Sequence, residues 1–322
     1  MFILAREVIG AAAQRWTNHE DYQAKSEIPG IMAILREILS FGGRYKVYLR
    51  ILVSIAILVV ILRSVDAFQV LDILKRAKPD LLWTALILQL ASATLSAFRW
   101  QLIMRNLKFG LMFPFYLRSY YKAMFFNQGL PTSVGGDAIR VLDVANRGFR
   151  KRDALYGVLL DRIVGLGALL VMNLVAYPFA PDKLPDSIYT LTLLAVTCGV
   201  AGLAIVSSAR FLAWLDAYPK LAIVGAMADR LRLAFLSNRL LIGASSLLIP
   251  LLAMLSFHAT GSALGLQYGF VTYLVIVPPA IILTIIPISV AGWGVREGAL
   301  VALFALVGAD KAVVLTMSIL YG

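Results

Sequence analysis

Two arginines, Arg140 and Arg296, each stand nine residues after a proline in a segment that no helix crosses unbroken. The first runs from Asn127 through Pro131, Ser133, Gly135, Gly136 and Asp137 to Arg140. The second runs from Pro287 through Ser289, Gly292, Trp293 and Gly294 to Arg296 and Glu297. Proline lacks an N–H, and glycine reaches backbone angles that other residues avoid. Pro131, Gly135, Gly136, Pro287, Gly292 and Gly294 are therefore read as the loop-shaping positions. Each loop leads into a helix N-terminus, where unpaired N–H groups and the positive end of the dipole favour an anion. A planar guanidinium one turn further in can hold phosphate oxygens in pairs. The chemistry this predicts is binding of a phosphate or pyrophosphate, with no catalytic residue required. Ser133 and Ser289 either hydrogen-bond that ligand or cap the loop backbone. Asp137 stands as a helix N-cap or as a ligand, and Glu297 as first-turn compensation of the dipole or as a ligand.

The two segments align without a gap from Pro131 and Pro287, with five of ten positions identical and an offset of 156 residues. An offset of about half the chain suggests internal duplication. Interrupted apolar segments at corresponding places in two halves mark binding sites in membrane transport proteins.

A third charged feature, Asp161-Arg162, lies inside an apolar run from Leu155 to Tyr177. Adjacent residues on a helix face different ways, so each needs a partner elsewhere. Arg140 is the candidate for Asp161. Charges inside a membrane cost ~2.5–3.5 kcal/mol or more on insertion scales, which makes them functional candidates. Two readings stand: a charge network lining a path for polar lipid, or a structural pair fixing a hairpin against a span. For Arg140 and Arg296 the competing reading is a place at the interface, with the charged heads reaching water.

The elements that must position these groups are apolar. Of 322 residues, 60% are hydrophobic and 15% charged, and the mean hydropathy is +0.83. Spans are expected at about 49–65, 81–98, 155–177, 188–207 and 240–264. Residues 66–80 form a polar connection with an amphipathic turn or two. Residues 1–46 form a cytoplasmic or interfacial extension, followed by a membrane domain over 47–322. The net charge of +12 falls mainly in connecting segments, which fits positive-inside bias and not nucleic acid. The basic flanks 99–122 and 140–153 belong on one side of the membrane, so the first broken segment enters and returns as a re-entrant hairpin near 114–146. A second is expected near 270–308. With an odd number of spans between them, the fold class is all-α: a polytopic integral membrane helical bundle with two re-entrant broken-helix hairpins related as an inverted repeat. The sequence stops 12 residues into an apolar segment that starts at Lys311, which reads as a truncated end. Cys198 is the single cysteine and His19 and His258 are far apart, so no metal site is expected. The glycine spacing fits no dinucleotide fingerprint, and no cofactor is expected.

Taken together, Asn127…Leu130-Pro131-x-Ser133-x-Gly135-Gly136-Asp137-x-x-Arg140, Asp161-Arg162-x-x-Gly165 and Pro287-x-Ser289-x-x-Gly292-x-Gly294-x-Arg296-Glu297 resemble the flippase-like family. That family includes the membrane region of lysylphosphatidylglycerol synthase/flippases and related proteins found with glycosyltransferases and with hopanoid synthesis. The resemblance covers about Leu49 to the C-terminus. It implies a multi-pass inner-membrane protein, N-terminus cytoplasmic, that moves a phospholipid or polyprenyl-linked lipid between leaflets or helps handle one. On the chemistry of the loops and charges, the candidate substrate-contacting residues are Asn127, Ser133, Asp137, Arg140, Asp161, Arg162, Ser289, Arg296 and Glu297. The partner is then an anionic lipid headgroup, with a glycosyltransferase or lipid-synthesis enzyme as a protein partner. The soluble aminoacyl-transferase domain of the synthases is absent from this sequence, which leaves two readings: a lipid translocator, or a membrane module of a lipid-modifying transferase.

Overall fold

The computed structural model describes residue 52 and residues 67–129, 135–180, 185–208, 238–284 and 292–321. The described residues all belong to the unit Leu49–Gly322. Pro131, Ser133, Pro287 and Ser289, the span expected at 49–65, the extension 1–46 and most of 208–239 lie outside them.

Among the described residues there are ten α-helices. In chain order they are α1 (Ala67–Arg76), α2 (Pro79–Asn106), α3 (Phe113–Gly129), α4 (Gly135–Ala145), α5 (Lys151–Ala176), α6 (Asp186–Ser207), α7 (Arg239–Ala263), α8 (Phe270–Leu283), α9 (Val295–Ala305) and α10 (Lys311–Tyr321). A 3₁₀ turn, Tyr177–Phe179, ends α5. Three helical stretches, Pro79–Asn106, Lys151–Phe179 and Arg239–Ala263, are long and apolar enough to cross a bilayer. Large apolar side chains such as Trp83, Ile87, Val175 and Leu240 point outward, as a lipid surround requires. The chain is an all-helical membrane protein.

The element order recurs. A long helix, two short ones and a further helix start at 79, 113, 135 and 151, and again at 239, 270, 295 and 311, an offset of 157–160 residues. In each set the two short helices pack against each other. The first helices of the two sets, α2 and α7, form the most extensive helix pair. Small buried residues, Ala85, Ser92 and Ser256, stand at their seam. Small side chains let the backbones approach, and their hydroxyls then reach across. Ser92 donates to the Ile249 carbonyl at 3.1 Å, and Ser256 donates to the Ala85 carbonyl at 2.8 Å.

A second seam joins α5 to α8, and proline chemistry explains it. Pro278 and Pro279 lie inside α8. They bring no N–H for the carbonyls four residues back, those of Leu274 and Val275. The buried Asn173 of α5 supplies the missing donor, with Nδ2 at 3.0 Å from the Leu274 oxygen and 2.9 Å from that of Val275. One carboxamide thus satisfies two groups that an apolar interior would otherwise leave unpaired.

Candidate functional site

α2, α4 and α5 meet at a set of five charges. Arg99 of α2 donates through Nε to Asp161 Oδ1 at 2.9 Å and through Nη2 to the Asp161 carbonyl at 3.2 Å. The other carboxylate oxygen of Asp161 takes Nη2 of Arg140, on α4, at 2.7 Å. Arg140 reaches in turn to Asp137 Oδ1 at 3.3 Å. Asp137 Oδ2 accepts from Arg162 Nε at 2.6 Å. The order Arg99–Asp161–Arg140–Asp137–Arg162 alternates in sign and carries one excess positive charge. Arg99, Arg140 and Asp161 are buried, whereas the Arg162 side chain is 41% exposed. The ladder therefore runs from a dry end to an open one. Burying so many charges is tolerable only where each is paired and hydrogen-bonded.

Several neighbours exist to make room for this arrangement. A Cβ on Gly165 would sit 2.9 Å from Arg99 Nη2, so a side chain there would push that guanidinium aside. The Arg140 guanidinium lies over the Trp100 ring, 4.1 Å from its centroid, and 5.0 Å from that of Tyr120. Such cation–π contacts add to the ion pairs where water is excluded. Arg99 Nη1 and Arg140 Nε are buried without a hydrogen-bond partner. A cavity of about 280 Å³ is lined by all five charged residues together with Tyr120, Ala123, Met124, Asn127, Gly165 and Leu166.

The structure corrects three sequence readings. Asp137 is not an N-cap: α4 starts at Gly135, so Asp137 is in the first turn and its carboxylate belongs to Arg140 and Arg162. The capping interaction comes from the preceding helix instead, where Asn127 Oδ1 accepts the Gly136 N–H at 2.7 Å. Gly135 and Gly136 are helical and not at unusual backbone angles. Gly136 is needed for close approach, since a Cβ there would strike the Ala123 carbonyl and the Asn127 carboxamide. Arg99 is not in a connecting loop: α2 extends to Asn106 and carries Arg99 into the interior.

The second motif builds a smaller version. Gly292 and Gly294 both have φ +83, a region that favours glycine. Glu297 is fully buried; it accepts the Gly294 N–H through Oε2 at 2.6 Å and Arg296 Nη2 through Oε1 at 2.7 Å. Ser318 of α10 donates to the same Oε1 at 3.1 Å. Arg296 also lies 5.3 Å from the centroid of Trp293. The acid that neutralises the arginine comes from the next helix in the first motif and from the adjacent residue in the second. Arg296 and Glu297 do not line the cavity around Arg140.

Comparison with known proteins agrees with this architecture. Residues 47–322 match the family described as the lysylphosphatidylglycerol synthase TM region. A UPF0104 membrane protein of Archaeoglobus fulgidus is 32% identical over 114 residues, which is 35% of this chain and 35% of that protein. The match thus spans about a third of that relative's length. With most of its length matched, the chain belongs to the lysylphosphatidylglycerol synthase TM region family.

Proposed function

We propose that the protein is a lipid translocase of the cell (inner) membrane, moving an anionic phospholipid or a polyprenyl- or hopanoid-type lipid between leaflets. The headgroup is held at the charge ladder while the acyl tails stay in lipid. The observation that carries this reading is the excess positive charge beside a 280 Å³ cavity lined by three guanidinium groups and two carboxylates. A cationic pocket partly buried in a helical bundle attracts an anion more strongly than the same charges fully in water would. In this reading α3–α4 and α8–α9 are the two re-entrant hairpins of an inverted repeat. Asn127, Asp137, Arg140, Asp161 and Arg162 meet the headgroup at the ladder, and Ser133, Ser289, Arg296 and Glu297 meet the lipid elsewhere on its path, with the N-terminus in the cytoplasm. Membership of the lysylphosphatidylglycerol synthase TM region family supports a second reading, a membrane module or partner of a lipid-modifying transferase.

Reconstitution tests the first reading. Liposomes holding the protein are expected to exchange a labelled anionic phospholipid between leaflets faster than empty ones. Arg140→Ala leaves Asp161 paired with Arg99 and Asp137 with Arg162, so the variant should fold yet lose exchange. Arg296→Ala leaves Glu297 its bonds to Gly294 and Ser318 and should behave alike. Wild-type exchange in both variants, or none by the parent protein with any candidate lipid, would count against translocation.

A further inference from the structure

Gln101, Arg105 and Lys108 recur at i, i+4 and i+7 where α2 ends, and they line a separate cavity of about 430 Å³ with Phe109, Gly110 and Leu111. None of these residues lines the cavity at the charge ladder. Gln101 and Phe109 are buried, while Arg105, Lys108 and Gly110 are exposed. The wall is therefore amide and aromatic, the mouth is cationic, and no acid is among the lining residues. Arg147, placed 5.2 Å from the Phe115 ring centroid, and Phe149, 4.7 Å from the Phe109 centroid, hold the basic run 147–152 at the same end of the bundle.

The backbone here is the unusual part. The Phe109 N–H donates to the Met104 carbonyl at 3.0 Å, closing the helix, and Lys108 takes φ +67. Such helix ends are normally glycine or asparagine. For a residue with a long side chain the left-handed conformation costs ~1–2 kcal/mol. Complementing the helix dipole does not require it, because Arg105 already supplies a cation in the last turn. A lysine kept in a conformation that glycine would occupy without strain argues that the ammonium group is used.

We infer that this cavity is a peripheral site for the phosphate of a lipid headgroup at the membrane surface, held by Arg105 and Lys108. Inorganic phosphate offers the same oxygens. The lipid is the fitting source because Leu111 lines the cavity and the adjoining Met112 is 79% exposed, giving acyl chains an apolar surface beside the charge.

The test uses the full chain in zwitterionic vesicles doped with a spin-labelled anionic phospholipid, reading the motionally restricted fraction. Each of Lys108→Gly and Arg105→Gln is expected to weaken association ~5-fold, the effect of one basic residue at a lipid surface. Lys108→Gly is also expected to unfold no earlier than the parent, since it removes strain; a purely structural lysine would not separate these two readouts. Arg105→Gln leaves the strained turn as it is and keeps the test valid should Lys108→Gly misfold. Unchanged association in both variants overturns the site. Displacement of the label by inorganic phosphate overturns its assignment to lipid, and displacement only by an acidic peptide would assign the surface to a protein partner instead. Leaflet exchange through the Arg140 ladder is read separately, so either proposal can fail alone.

Discussion

Arg99 and Asp161 stand 62 residues apart in sequence and meet at 2.9 Å in the interior, where both side chains are about 95% buried. Asp161 is also the only link between Arg99 and Arg140 within the ladder. Asp161→Asn therefore leaves two buried guanidinium groups sharing one neutral amide. Breaking a buried pair in this way costs ~3–5 kcal/mol. Thermal unfolding in detergent should show a large loss, and a combined Arg99→Met, Asp161→Asn variant should recover part of it. Equal stability of Asp161→Asn and the parent would mean that the ladder contributes nothing to the fold.

Gly165 is predicted to be intolerant of even a methyl group. In Gly165→Ala the new carbon presses on Arg99 Nη2, which is held in place by the Asp161 carbonyl. A cost of ~1–3 kcal/mol is expected for such overpacking. Gly167, two residues on and on the opposite face of α5 with open space around it, serves as the control, and Gly167→Ala should be neutral or slightly stabilising.

Asn173→Leu should destabilise by ~1–3 kcal/mol for each carbonyl left unsatisfied. The cause is specific and can be checked by rescue. Pro279→Ala restores an N–H that can reach the Val275 carbonyl, so it should recover part of the loss in the Asn173→Leu background. Without recovery, the double donation by Asn173 is not what holds α5 to α8.

Gly294→Ala should cost ~1–3 kcal/mol because φ is +83 there. Glu297→Gln keeps the shape of the turn but removes the charge facing Arg296. If Arg296 serves only to balance Glu297, Arg296→Ala should lose more stability than Glu297→Gln, because it leaves a fully buried carboxylate uncompensated; hydrogen exchange of α9 would resolve the two.

The helices were readable from hydropathy, since burial in lipid demands long apolar runs whatever the tertiary packing. The segment expected at 155–177 is observed as Lys151–Ala176 with its 3₁₀ extension, and that at 240–264 as Arg239–Ala263. The pairing of Arg140 with Asp161 was readable too, because a charge inside an apolar run must find an opposite one. Arg99 was hidden by its neighbours: next to a basic flank it looks like one more surface cation. Only the position of α5 relative to α2 reveals that it is buried. The cap on α4 was hidden for a similar reason, since Asn127 acts across a break in the chain and not from the residue before the helix.

The bond from Asn173 to two successive carbonyls has a mechanical corollary. Sliding α5 along α8 by two residues, ~3 Å of helix rise, would carry the carboxamide out of reach of both oxygens. Tilting about that point would keep them. At this seam α5 and α8 can therefore tilt about Asn173 more readily than they slide past each other.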